Sequence, residues 1–299
     1  MTQAVAGHSP SRAGWLAWDG GARWLPFLLP GAVFIVLAYL YPLIELLRFS
    51  FYRQVTAGVV RADWTIDNYV RFFNQSSMWE VATNTIVMGV SVTILCLILG
   101  YPLALAIVRS RGIWTTIFLF LTISPLLASQ LVRALGWTMA LGQSGWVNTL
   151  LLHFGLVDEP VRILGTLGAV ILGLTHGLLP FMVLSIASSL SSIDPQLERA
   201  ATSLGATRTQ VLWRVLVPLS LPGIVSGSLL VFCIAVGTYG TPFLLGGPGF
   251  KLLSLIVYEY FTSLLNWPFG AALAVILMVI VTAMLGLFVK FVRRPWQIR

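Results

Sequence analysis

"DPQLERAATSLGATRTQVLWRVLVPLSLPG", residues 194–223, interrupts a chain built otherwise of long apolar runs. The stretch spells helix, turn, helix. Asp194 before Pro195 is a helix start: an acidic N-cap, then proline at the first helical position, where its missing N–H costs nothing. Glu198 sits in the first turn, favourable to the positive helix end. Ala200, Ala201 and Leu204 supply a small apolar face, and Gly205 ends the helix as a residue able to take positive φ. Thr207 with Gln210 three residues on forms a capping box that opens a second helix. That helix is expected to present Val211, Leu212, Val215 and Leu216 on one side and Arg208 and Arg214 on the other. Pro218 and Pro222 then punctuate the return to apolar sequence. A plain connection needs only a few residues. So specified an element reads either as an amphipathic loop on anionic lipid, held by Arg199, Arg208 and Arg214, or as a protein docking surface, which the small alanines favour.

The setting is a membrane. Of 299 residues 58% are hydrophobic and only 9% charged, and the mean hydropathy is +0.90. Polar residues this scarce cannot cover a soluble domain. About 20 apolar residues span roughly 30 Å of hydrocarbon, and six such runs are expected, at 24–51, 82–108, 113–140, 166–190, 221–245 and 268–292. The first follows a polar arm and is too long for a cleaved signal peptide, so it reads as a retained anchor. The third is long for one crossing. Its apolar core ends at Ala128, where Ser129, Gln130 and Arg133 crowd in; as one helix it would bring Arg133 out near the interface opposite Ile113. Cys96 and Cys233 fall inside apolar runs and read as buried thiols.

Lysine and arginine placement sets the orientation. With the N-terminus inside, the inner segments hold eleven bases against Asp19, Asp194 and Glu198, while the outer segments hold seven bases and seven acids. The whole formal charge of +8 therefore lies on one side, which gives N-in, C-in and makes the 194–223 stretch cytoplasmic. The basic balance reports topology, and no nucleic-acid footprint is read from it. Domain by domain, 1–23 is a cytoplasmic arm, 24–51 the first transmembrane helix and 52–81 an outer loop. Residues 82–292 form a five-helix core that carries segment 191–220, and 293–299 is a cytoplasmic tail. On the outer side "WTIDNYVRFF" is expected to make a short surface helix, and 142–157 an interfacial or re-entrant piece, with Asn84 and Asn148 as helix caps.

The cytoplasmic stretch resembles the EAA loop of ABC importer permeases, whose pattern is Glu-Ala-Ala, three residues, Gly, nine residues, Ile-x-Leu-Pro. Aligned on Gly205, the alanines are Ala200 and Ala201, Val215 stands for the isoleucine, Val217 for the leucine, and Pro218 matches. Arg199 occupies the glutamate position, with Glu198 one residue earlier. "LGYPLALAIVRS" (99–110), "LVRALGWTMALGQSGWVNTLL" (131–151) and "NWPFGAA" (266–272) resemble the spermidine/putrescine permease branch of that family. The resemblance implies an all-α integral membrane protein with six transmembrane helices, MetI-like and N-in/C-in. It implies transport of a small polar solute, a polyamine first, with an amino-acid-like compound or ferric iron as the alternative. In this family the loop is a coupling helix seated in a cytoplasmic ATPase. Glu198, Arg199, Ala200, Ala201, Gly205, Val215 and Pro218 would then form the coupling set. The implied partners are an ATPase dimer, a second permease and an outer solute-binding protein.

The chain holds no catalytic set of its own. It has only two lysines, Lys251 and Lys290, and neither lies in a G-x-x-x-x-G-K-[ST] context. ATP is therefore expected on a partner, with no cofactor here. His8, His153 and His176 are scattered, so no metal site is expected. A secondary transporter would want acids or histidines at mid-span, and Glu45 alone lies deep in an apolar run. Candidate pathway residues are Arg133, which is either a snorkelling interface residue or a gate or binding-protein contact, and His176, which is either a packing or a substrate contact. Tyr239 and Thr241 join them, in a Tyr-Gly-Thr-Pro break of the fifth span that an opened turn would expose to a cavity.

Overall fold

A computed structural model describes residues 25–247 and 249–293. The expected arm 1–23, nearly all of the tail 293–299, and with them Arg12, Asp19, Arg23, Arg294 and Arg299, lie outside those residues. The chain divides into two compact units, Met1–Arg48 and Phe49–Arg299. The first span runs through α1 (Leu25–Ile35), a π-helical turn (Val36–Leu40) and α2 (Tyr41–Ser50). Glu45 on it pairs with Arg48 at 2.6 Å.

In the second unit β1 (Arg53–Thr56) and β2 (Val59–Arg61) form an antiparallel hairpin, and α3 (Asp67–Asn74) is the short helix expected from "WTIDNYVRFF". There follow α4 (Ser76–Arg109), α5 (Ile113–Leu127), α6 (Gln130–Leu141), α7 (Trp146–His153) and α8 (Leu167–Ser191). The cytoplasmic stretch gives α9 (Pro195–Ser203), α10 (Arg208–Val211), a π turn (Leu212–Leu216) and α11 (Val217–Leu219). Then come α12 (Leu221–Gly237), α13 (Gly240–Leu245), α14 (Leu253–Thr262) and α15 (Trp267–Arg293). Among the described residues four helices are long and apolar enough to span alone, and two bent pairs complete six.

The bends correct the picture of straight spans. The third does not continue past Leu127: it turns by 99° into Gln130–His153, so Arg133 lies beyond a bend and not on a straight continuation of α5. Residues 128–129 leave the helix because Ala128 adopts an extended backbone. The second bent pair is Arg208–Leu219 with Leu221–Gly237, at 65°. At its outer end the fifth span stops at Gly237 and a short helix restarts at Gly240, at the expected Tyr-Gly-Thr-Pro break. Asn148 is no surface cap. It is fully buried and fastens the 142–161 loop, donating to Gly142 O and Val161 O, both at 3.0 Å, and accepting from Val161 N at 2.9 Å. Asn84 lies within α4. Cys96 is buried as expected, but Cys233 is only half-buried.

The core is a three-helix packing of α4, α8 and α12 around Met88, Val92, Cys96, Met182, Ile186 and Val231. Apolar area alone cannot hold helices together in lipid, so close backbone approach has to. A Cβ on Gly223 would stand 2.5 Å from Ser185 O, and one on Gly89 2.5 Å from Val236 Cγ2. On the outer side a smaller cluster gathers Phe72 of α3, Met78 and Val81 of α4, Leu253 of α14, and Phe269 and Leu273 of α15. Arg71 lies over the Phe269 ring at 4.3 Å. The β-hairpin is fixed from far along the chain: Gln54 Nε2 and Gly58 N donate to Leu265 O at 2.9 and 3.0 Å. Leu265 itself holds φ 48° without being glycine. Replacing Gly223 by valine is expected to force α12 off α8 at a cost of about 2–3 kcal/mol, read as a lower melting temperature in detergent. Gly237→Ala on the same helix, with nothing within 4 Å, is expected to leave it unchanged.

Candidate functional site

Two features stand at opposite ends of α8 and α12. At one end is the 194–219 hairpin. Asp194 accepts from Gln196 N at 2.9 Å and so opens α9. Gly205 at φ +86° ends it, as Gly205 N and Ala206 N return to Thr202 O and Ala201 O at 2.9 and 3.1 Å. The capping box then closes both ways: Thr207 N donates to Gln210 Oε1 at 2.8 Å, and Gln210 N to Thr207 Oγ1 at 3.3 Å. Val211 and Leu216 point inward and are buried, Leu212, Val215 and Pro218 are half-buried, and Arg208, Trp213 and Arg214 face outward.

On α9 no residue is buried. Leu197, Ala200 and Leu204, spaced to share a helix face, form an apolar ridge in solvent, with Leu204 89% exposed. Ala201 is half-buried on the inner side beside Glu198, so the two alanines expected on one face are separated. Glu198 bonds Arg109 at the end of α4, at 2.5 Å, and Tyr101 Oη meets Ser220 Oγ at 3.2 Å. The first contact ties the hairpin to α4, and the second ties the start of α12 to it. Arg199 is exposed.

At the other end the broken spans enclose a recess of about 360 Å³, lined by Ser129, Gln130, Arg133, Gly173, Gly177, Thr238 and Thr241 among others. Arg133 Nη1 donates to Pro125 O and to Ala128 O, the latter at 3.0 Å. These are carbonyls that the end of α5 leaves over, and a cation is the favoured group at that helix end. The guanidinium lies against Gly177, where a Cβ would be 3.4 Å from Nη2. Gln130 Nε2 donates to Thr241 Oγ1 at 3.3 Å, which bridges the two breaks. Arg133 is the one charged side chain among the described lining residues.

Of the four expected pathway residues, then, Arg133 and Thr241 share the recess. His176 stands beside it, accepting from Trp137 Nε1 at 3.3 Å. Tyr239 lies apart in an aromatic stack, 4.1 Å from the Tyr258 ring and 5.1 Å from Phe243. The crowding of Ser129 and Gln130 was visible in sequence, though only Arg133 was singled out. Nothing local links Trp137 to His176 or Tyr258 to Tyr239. Among the described residues no three His, Cys, Asp or Glu side chains converge on a metal position. Arg133→Ala is expected to remove about 2–3 kcal/mol of charge-assisted bonding and to lower the melting temperature of the assembled transporter in nanodiscs. Arg133→Lys, keeping one cationic donor, is expected to fall between.

Residues 54–297 match the family of binding-protein-dependent transport system inner membrane components. The spermidine/putrescine transport system permease protein PotB of Escherichia coli (strain K12) is 36% identical over 251 residues, 84% of this chain and 91% of that protein. PotB of Salmonella typhimurium (strain SL1344) is 35% identical over 254 residues, 85% of this chain and 88% of its own length. Among solved structures, a chain of a bacterial ABC transporter involved in the import of alginate superposes with a TM-score of 0.73 at 21% identity, covering 92% of this chain and 97% of that one. The chain belongs to the binding-protein-dependent inner membrane component family and is a multi-pass permease subunit of an ABC importer.

Proposed function

We propose that this permease, paired with a second one, lines the path of a small polar solute and takes its energy from a separate ATPase docked on the 194–218 hairpin. The observation that carries the reading is the ridge Leu197–Ala200–Leu204, held out in water beyond a glycine turn at φ +86°. An apolar surface so exposed, on an element capped at every junction, is built to be covered. Ala200 and Leu204 make the contact, Gly205 sets the turn, and Ala201, Val215 and Pro218 seat the hairpin against its own spans. Arg199 and Glu198 divide the polar work between them. ATP belongs to the partner, since this chain offers no P-loop of its own. The working assembly is two permeases, two ATPase subunits and an outer solute-binding protein. Closure of the ATPase pair pulls on the hairpin, and α8 and α12 carry the displacement to the recess.

For the solute we propose a polyamine. The relatives named for spermidine and putrescine support it. Arg133 favours a second reading, an amino-acid-like solute whose carboxylate would meet the one charge of the recess. Calorimetry on the partner solute-binding protein decides between them. Tight binding of putrescine or spermidine is expected, and tight binding of γ-aminobutyrate without a polyamine response would install the second reading.

Gly205→Val tests the coupling assignment. A β-branched residue in the left-handed region costs about 1–2 kcal/mol, enough to move Leu204 off the ridge. Uptake is expected to be lost or greatly reduced while membrane insertion persists. Normal uptake by this variant would remove the hairpin from the coupling role.

A further inference from the structure

The hairpin carries three arginines, Arg199, Arg208 and Arg214, against two acids, Asp194 and Glu198. Both acids are already engaged within the chain. Asp194 accepts the N–H of Gln196 at 2.9 Å and serves as a helix cap. Glu198 is turned toward the bundle and meets Arg109 at 2.5 Å. The arginines are exposed and, among the described residues, make no ion pair or hydrogen bond through their side chains. Position on α9 sharpens the contrast. Arg199 aligns with Gln196 and Ser203, three residues before it allowing one and four residues after it the other, and this exposed polar flank runs alongside the Leu197–Ala200–Leu204 ridge. Glu198 and Ala201 share the opposite, half-buried face.

We propose that the ATPase cleft receiving this hairpin presents a carboxylate to Arg199, and that Glu198 makes no contact with the ATPase but holds α9 to α4 through Arg109. The proposal rests on the docking reading above and adds the charge of the partner and the roles of two adjacent residues. A guanidinium at the edge of an apolar contact is partly desolvated on docking, which raises the worth of a matched carboxylate and the penalty for a mismatched one. The Glu198–Arg109 pair lies between two elements of the same chain, so its effect falls on the transfer of motion from hairpin to α4.

The test uses the complete transporter, purified through a tag on this permease, with retained ATPase subunit measured against salt concentration and uptake measured in parallel. Arg199→Glu is expected to lower ATPase retention about tenfold or more, the scale of a repelled charge pair, and Arg199→Lys to retain most of it. Glu198→Gln and Arg109→Gln are expected to retain the ATPase within about twofold of the native level while uptake falls. Ala200→Asp, on the ridge itself, serves as the control for docking and is expected to lose the ATPase. Loss by Ala200→Asp with full retention by Arg199→Glu would overturn the proposed carboxylate and leave the docking reading standing. Loss by Glu198→Gln equal to that by Arg199→Glu would overturn the division of roles. Retention by Ala200→Asp and Arg199→Glu alike would remove the docking reading and the proposal with it. Restored uptake in Arg199→Glu, selected by growth on limiting solute, is expected to map to an acid-to-base change in the ATPase. Suppressors confined to base-to-acid changes there would contradict it.

Discussion

Hydrocarbon offers no hydrogen bonds, so each place where a span is interrupted has to find partners for its own backbone. Much of this fold follows from that. At the break after α5, Arg133 takes the carbonyls of Pro125 and Ala128. At the break after α12, Thr238 Oγ1 returns to Ile234 O at 2.6 Å, and Thr238 O receives Ser254 Oγ at 3.0 Å. The start of α14 is met by Thr85, whose Oγ1 accepts Leu253 N at 3.0 Å from within α4. Gly165 N, ahead of α8, donates to Leu245 O at 2.9 Å, the end of α13. Apart from the local Thr238–Ile234 bond, each repair comes from another element, so the interruptions knit the outer half of the bundle together while opening a polar recess inside it.

The unbroken parts serve differently. α8 and the helix portion of α12 join recess to hairpin without a gap, and at about 1.5 Å per residue they measure on the order of 37 and 25 Å. Gly223 and Gly227 bring their backbones against Ser185, Ser189 and Met182, and Gly89 and Gly100 do the same for α4. Helices in such contact move together, because an interdigitated interface has few intermediate arrangements. A displacement of the hairpin therefore reaches the recess as a change in the relation between α8, α12 and the two breaks that they support.

How far the sequence revealed this depends on the range of the interactions concerned. The Asp194 cap, the Gly205 turn and the Thr207–Gln210 box are contacts within four residues and were readable as they stand. So was the interruption at Tyr239–Pro242, since glycine and proline declare themselves. The 99° bend near Ala128 was not. Its proline, Pro125, lies within α5 ahead of the bend, and no glycine stands at the turn. Apolar residues resume beyond it, so hydropathy runs straight through a turn whose freed carbonyls an arginine reaches back to bond. Two further features were beyond reach for the same reason. Glu198 finds Arg109 across 89 positions, and Tyr239 finds Tyr258 only after α13 has folded the chain back. Period and propensity report on neighbours, and both of these contacts are made by topology.

The carbonyl of Leu265 gives the fold an order in time. It is the shared acceptor for Gln54 and Gly58, and Gln54 lies 211 residues upstream of it. At roughly 5–20 residues per second of synthesis, the β-hairpin reaches the outer surface some 10–40 s before its acceptor has been made. Through that interval the hairpin is a nascent segment with its tip unfastened, while four more spans thread the bilayer. The turn before α15 then arrives, with Leu265 forced into a left-handed conformation that its two donors hold in place. The fastening of the first outer loop to Leu265 therefore waits for the turn that precedes the final span.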